Sequence, residues 1–366
     1  MSDESQEEFI VIRLGVVGGG TYGESHLTVF KEMEEQGQVR LVALAESNEE
    51  RRNERARQFG IAVYETHTEM LDKEELDGVT VATPDHLHRE VALDVLSRGL
   101  HCLVEKPLDV TVEGCRSMVD EAAVKGLLLQ VDFHKRYDPY HIEMRESFLE
   151  GKFGEIGYGY AWMEDQIWVP MKMLRAWSER SSPIWFLGVH MYDLVRWIMN
   201  NPNPVKVYAT GTKKKLKGLG IDTFDAVQAH VEFCNGACIT FQNSWILPDA
   251  FEAVVHQGVK LVGTEGIFEC DSQYRGGRGC LKGEKMRTWN LGIKYRERDK
   301  KNRSRWRGYF RDAIADFAEN LVFLQDGGSL DALDGLYPSG KDGLAITQIA
   351  CAAEESIRTG APVSIA

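Results

Sequence analysis

The stretch VIRLGVVGGGTYGESH, residues 11–26, decides the fold. It opens with β-branched and leucine side chains (11–17), the pattern of a parallel strand buried on both faces. Gly18, Gly20 and Gly23 follow in G-x-G-x-x-G spacing, just ahead of Leu27, Phe30 and Met33 at helical intervals. Alone, that glycine pattern is weak, because a flexible loop satisfies it. Between a strand and a helix it has a mechanism. The glycines permit a tight turn, close approach of backbone to a pyrophosphate and close helix–strand packing, and the helix N-terminus favours the anion.

Further strand-like runs follow at VRLVALA (39–45), GVTVAT (78–83), LHCLVE (100–105) and LLLQVD (127–132). Helical patterns separate them, among them NEERRNERARQFG (48–60), which ends at a capping glycine. Strict alternation predicts a doubly wound α/β domain. Glu46 stands at the end of the second strand. A carboxylate there accepts both adenosine-ribose hydroxyls and repels a 2′-phosphate, which favours NAD. Ser47, Arg51 and Arg52 offer groups for that phosphate and keep NADP open.

After Tyr137 the texture changes. All eight tryptophans fall between 162 and 306. Long strand-like runs appear (VYATGT, DAVQAHVEF, GACITFQNSW, AVVHQGVKLVGT, GIFECD), joined by turn signals such as CNGA and GTEG. DAVQAHVEF alternates in period two, so one face of its sheet is covered. Helices are predicted at 309–325 and 340–359. The expected division is a polar lead-in (1–9), a Rossmann domain (10–135) and an α+β domain with a large, mainly antiparallel open sheet (136–366). The last helices are free to pack back on the first domain.

The formal charge of −13 argues against a general affinity for nucleic acid or anionic membrane. KKKLK (213–217) is the one basic cluster and reads as a solvated strand end or loop. No apolar run reaches the roughly 18 residues of a membrane span. The acidic N-terminus is the reverse of a signal peptide. Seven cysteines without a CxxC pair suit reduced thiols in the cytoplasm. No metal site is expected.

LHCLVEKPL ends the fifth strand with Glu105, Lys106 and Pro107, so Lys106 points into the crevice where ligands of such sheets bind. Together, GGGTYG (18–23), ATPDHLH (82–88), EKPL (105–108), FHKRYDP (133–139), GKFGEIG (151–157), GVHMYD (188–193) and EESIRTGAPV (354–363) make the chain resemble the glucose–fructose oxidoreductase, inositol dehydrogenase and rhizopine-catabolism (Gfo/Idh/MocA) family. The resemblance implies NAD(P)-dependent exchange of hydride with a secondary alcohol or ketone of a sugar, cyclitol or glycoside. It also implies a homodimer or homotetramer built on the C-terminal sheet. Carried over by position, Gly18, Gly20, Thr21, Tyr22 and Gly23 meet the cofactor phosphates and Glu46 the ribose. Thr83, Pro84, His88 and Glu105 to Pro107 line the cofactor. Lys106 steadies the reacting oxygen, and His190 is the general acid/base.

One position departs from that pattern. Many relatives carry an aspartate four residues before the histidine, where this chain has Phe186. Asp193, three residues after His190, shares its helical face and is a candidate partner. His134, Arg136, Lys172, Arg175, Trp185 and Phe186 are further substrate candidates. Two other readings stand beside the dehydrogenase: a glycoside hydrolase or lyase that uses tightly bound NAD for transient oxidation, and a nucleotide-binding regulatory protein without chemistry.

Overall fold

The computed structural model describes residues 11–365 other than 275, 276, 281, 284 and 289, so the lead-in at 1–9 lies outside the described residues. Strands β1 (Ile12–Val17), β2 (Val39–Ala45), β3 (Ala62–Tyr64), β4 (Gly78–Val81), β5 (His101–Val104) and β6 (Leu129–Val131) form one parallel sheet. Their order is β3-β2-β1-β4-β5-β6, so the winding reverses between β1 and β4, and the crevice there is the natural ligand site. β3 went unread in the sequence because three residues are too few to show a period. Helices α1 (Thr21–Glu34), α2 (Glu49–Phe59), α3 (His67–Lys73), α4 (His88–Ser97) and α5 (Val112–Lys125) connect the strands. Asn48 caps α2 by accepting the Arg51 N–H, and Gly60 ends it at φ +65°.

A turn at His134–Tyr137 and helix α6 (Pro139–Leu149) lead into the second sheet. That sheet contains β7 (Ile156–Gln166), β8 (Pro204–Thr212), β9 (Ala226–Phe233), β10 (Cys238–Leu247), β11 (Val255–Gly263) and β12 (Ile267–Asp271). A π-helical turn (Ile184–Gly188) and α7 (Val189–Ile198) cross between β7 and β8, so β10 returns beside β7 in the same direction. Among the described residues this is the one parallel pair in an otherwise antiparallel sheet. The basic run forms an exposed short helix, α8 (Lys215–Gly218), whose N-terminus is capped by Asp225. Beyond β12 come two small hairpins, β13 (Arg278–Gly279) with β14 (Arg287–Thr288) and β15 (Tyr295–Arg298) with β16 (Ser304–Arg307).

Three helices and an edge strand close the chain: α9 (Tyr309–Gln325), α10 (Leu330–Leu333), α11 (Gly340–Thr359) and β17 (Val363–Ser364), the last paired with β8. α9 returns to the first sheet. Its Phe310, Ile314, Phe317 and Leu321 share one buried cluster with Leu14, Leu27 and Leu103. Packing there is so close that a Cβ on Gly78 would lie 2.6 Å from the Leu321 side chain and 3.0 Å from the Phe317 ring. α11 is wedged between α5 and β6 on one side and β8 and α7 on the other.

A buried ionic network ties these parts together. Arg136 holds Asp193 through two hydrogen bonds, 2.9 Å from Nε and 2.5 Å from Nη2. Asp342 on α11 lies 3.3 Å from Arg136 and accepts Arg196 at 2.7 Å. This corrects the expectation that Arg136 and Asp193 face substrate. A guanidinium buried this deeply requires a carboxylate, and each residue is consumed by the other. Asp193→Ala should therefore cost about 3–5 kcal/mol in urea unfolding, because it strands a buried cation. A loss within error of zero would show that Arg136 finds its compensation elsewhere.

Candidate active site

The crevice at the reversal point opens into a cleft of about 1010 Å³, with Gly18, Gly20, Thr21 and Tyr22 on its floor. Gly18 turns at φ +96°, and a Cβ there would lie 2.4 Å from the Ala82 carbonyl oxygen. At Gly23 a Cβ would lie 1.8 Å from the Gly18 oxygen, so helix and turn meet at backbone contact. Gly20 is different. Its nearest obstacle is a guanidinium nitrogen of Arg51 at 3.7 Å, which leaves the space above it open toward the cleft. Two glycines are required by the protein's own packing, and one leaves room for a ligand.

Glu46 is anchored to that turn. Its buried carboxylate accepts the N–H groups of Gly19 and Asn48, both at 2.8 Å, and Arg51 Nη1 at 3.3 Å. Ser47 and Arg51 line the cleft beside it. Thr83 and Pro84 line the cleft from the end of β4. His88 does not. Its Nδ1 faces the Pro107 carbonyl at 2.7 Å and its Nε2 the Thr83 carbonyl at 2.9 Å, so it braces two cleft loops from behind.

Beneath the cleft, His26 Nε2 meets Glu105 at 3.1 Å and comes within 3.7 Å of Asp132. Ligand atoms of all three lie within 4.8 Å of one another. Burial and the charge of Glu105 raise Asp132 well above the carboxylate range. Lys106 projects the other way. It is 5% exposed, donates to the Phe186 carbonyl oxygen at 3.0 Å, and lies over the Phe186 ring at 4.2 Å. Burial lowers its pKa, opposed by the charges of Asp85, Glu105, Asp165 and Asp132.

His190, in the first turn of α7, packs its ring on His134 at 4.7 Å. His134 in turn stacks on Tyr309 at 5.8 Å and against Phe310 at 5.3 Å. Both imidazoles are buried, and burial leads the causes that depress them: His134 to about 3, His190 well below its ordinary value. His190 is therefore a neutral ring, and its Nδ1 has no hydrogen-bond partner among the described residues. Asp193 cannot orient it, since Arg136 holds that carboxylate.

Three further candidates fall away from this centre. Trp185 is buried, but its indole N–H donates to Glu354 on α11 at 2.8 Å, so it packs the interior. Lys172 and Arg175 are exposed, and Arg175 pairs with Glu179 at 3.6 Å. Their segment instead turns Met173, Leu174 and Trp177 toward the cleft. Two more residues join the centre: Lys135, which the sequence offers as a candidate along with His134 and Arg136, and Asp165, which was not singled out. Lys135, from the motif beside His134, is buried and donates to Gln257 on β11. Asp165 reaches the end of β7 on its buried face, where period two puts Ala161 and Met163. A charged residue in that register was the available signal.

The sequence profile described as "Oxidoreductase family, NAD-binding Rossmann fold" matches residues 12–133, and the Gfo/Idh/MocA C-terminal domain profile matches 141–269. The chain is 30% identical to the rhizopine catabolism protein MocA of Rhizobium meliloti, over 62% of this chain and 68% of that protein. The chain belongs to the Gfo/Idh/MocA family. The inositol 2-dehydrogenase of Rhizobium meliloti strain 1021 is 23% identical over 98% of this chain and all of its own length. The scyllo-inositol dehydrogenase of Lactobacillus casei, solved with NAD(H) and scyllo-inositol, shares the fold at TM-score 0.76. It is 17% identical, over 97% of this chain and 99% of that one. The chain is thus an NAD-binding oxidoreductase.

The two depressed histidines give a pH signature. Each is neutral when folded but protonates on unfolding below its ordinary value near 6.5. The stability they supply is complete above pH 6.5 and is lost as pH falls toward 3. For His134 alone the loss at pH 5 is about 2 kcal/mol. Urea titrations at pH 7 and pH 5 should show it, and His134→Phe, which keeps a ring in the stack, should shrink the difference by that amount. An unchanged difference would mean that the folded ring titrates normally.

Proposed function

We propose that this enzyme oxidises a secondary alcohol of a sugar, cyclitol or glycoside, or reduces the matching ketone. The observation that carries the reading is Lys106: a buried ammonium at the end of β5, beside a neutral histidine from the other domain. Gly18, Gly20, Thr21 and Tyr22 would hold the cofactor's phosphates at the N-terminus of α1. The open space above Gly20 fits that use. Glu46 would accept the adenosine ribose, which favours NAD, while Arg51 and Ser47 beside it keep some capacity for NADP. Bound nicotinamide supplies a two-electron acceptor or donor.

The remaining work falls to side chains of this chain. Lys106 donates to the substrate oxygen and stabilises the negative charge that develops there. To do so it releases the Phe186 carbonyl, or shares its three N–H groups between carbonyl and substrate. His190 accepts the hydroxyl proton. Its depressed pKa suits it to be empty of a proton when substrate arrives, and the nearby lysine charges help to keep it so. The outer sheet face, which exposes Tyr158 and Tyr208, is the surface we assign to a second copy of the chain. No described helix is long and apolar enough to cross a membrane. The seven cysteines form no disulfide among the described residues, in keeping with a cytoplasmic setting.

One observation favours the reading with a retained cofactor. The segment that carries Leu174 and Trp177 over the cleft is latched to the first domain, with Ser181 donating to Asp85 at 3.1 Å and Arg180 3.4 Å from His86. A cofactor held under it exchanges slowly. Purified protein, NAD and a panel of myo-inositol, methyl glucosides and 1,5-anhydroglucitol should release NADH, with Lys106→Met slowing turnover by about 10²–10³-fold at unchanged cofactor affinity. Cofactor that copurifies, with product formed and no net NADH, would replace the dehydrogenase by the transient-oxidation mechanism. Normal turnover by Lys106→Met would remove Lys106 from the chemistry.

A further inference from the structure

Four carboxyl groups set the field at Lys106: Asp85, Glu105, Asp132 and Asp165. Two are engaged on the cofactor-domain side: Asp85 accepts Ser181, and Glu105 meets His26. Asp132 lies behind Glu105, with neither oxygen hydrogen-bonded among the described residues, and its neighbours there are His26 and Glu105. Asp165 alone arrives from the second sheet. It lies at the end of β7, opposite Val255 on β11, and is 1% exposed. The Trp245 indole N–H approaches its carboxyl without completing a hydrogen bond, and Oδ2 has no partner among the described residues. Lys106 and Lys135 are the cations whose charge it feels.

A buried carboxyl with an open acceptor is costly unless a ligand completes it. We propose that Asp165 is a substrate-binding residue, whose carboxylate accepts a second hydroxyl of the ring whose reacting oxygen is held by Lys106. The assignment rests on the sugar or cyclitol reading given above and adds a requirement to it: a polyol, not an isolated secondary alcohol. Trp245, beside Asp165, packs ring against ring at 5.9 Å with Phe186, the ring that lies under Lys106. Asp193 is locked to Arg136, and Asp165 is the carboxyl left on the second-domain side. Burial pushes it up to about 8, against the pull of the two lysines.

The test compares wild type, Asp165→Ala and Asp165→Asn, using the best polyol of the panel and its monodeoxy derivatives. Turnover is measured, together with the thermal shift that each polyol induces in the NADH-loaded protein. Asp165→Ala should raise KM by about 10–100-fold, the loss of one charge-assisted hydrogen bond. Asp165→Asn should recover part of it. One monodeoxy derivative should bind wild type as weakly as the parent polyol binds Asp165→Ala, and should be indifferent to the substitution. The ligand-free variants should melt no lower than wild type. An unchanged KM, or ligand-free variants that melt lower, would assign Asp165 to the scaffold and overturn the proposal while leaving the oxidoreductase reading intact. Wild type that neither turns over nor is stabilised by any polyol would overturn both.

Discussion

A lysine that is 5% exposed has lost most of its water, and its surroundings must replace that hydration. The structure does so across a domain boundary. Lys106 leaves the parallel sheet at β5 and finds its hydrogen bond on the carbonyl of Phe186, in the π-helical turn that precedes α7. That contact sets the distance between the two domains at the point where chemistry is expected. It also brings the first turn of α7, and with it the buried His190, close enough for the Lys106 charge to act on it. The turn is held from its other side, where Gly188 packs against Asn243 and Tyr192 with no room to spare for a Cβ.

The charge pattern around this contact is layered. Behind Lys106, Glu105 keeps negative charge on the cofactor-domain side, with His26 and Asp132 packed against it. In front are Lys135 and two imidazoles stripped of their protons by burial. The ion pairs that would neutralise such a region have been drawn off into the scaffold, where Arg136, Asp193, Asp342 and Arg196 satisfy one another. The result is a buried, under-neutralised centre beside a compensated frame. Such a difference is what preorganised polar sites require.

Much of the frame was legible in the sequence because it follows local periodicity. β1, the glycine turn, the cap of α2 and the long helices α9 and α11 follow from spacing and capping signals. The antiparallel strands follow from alternation. What escaped depends on partners far along the chain. Asp193 looks like a partner for His190 at helical spacing, yet its carboxylate is taken by Arg136, 57 positions away. Trp185 reads as a sugar-stacking ring until Glu354, 169 positions on, takes its N–H. Lys172 and Arg175 have the right chemistry, but their segment turns its apolar side to the cleft. Asp165 was readable in principle, as a charge in a buried register, and needed the strand's inward face to be assigned first.

The return of α9 has a bearing on how the chain folds. All six strands of the first sheet have been made by residue 131, yet the face formed by Leu14, Leu27 and Leu103 is finished only by Phe310, Ile314 and Leu321. During synthesis from the N-terminus the dinucleotide-binding half must therefore wait, with apolar surface open, while nearly two hundred further residues emerge. Long-range closure of this kind slows assembly and lengthens exposure to wrong partners. Gly78, which leaves room for the Leu321 and Phe317 side chains of α9, makes that late arrival part of the architecture.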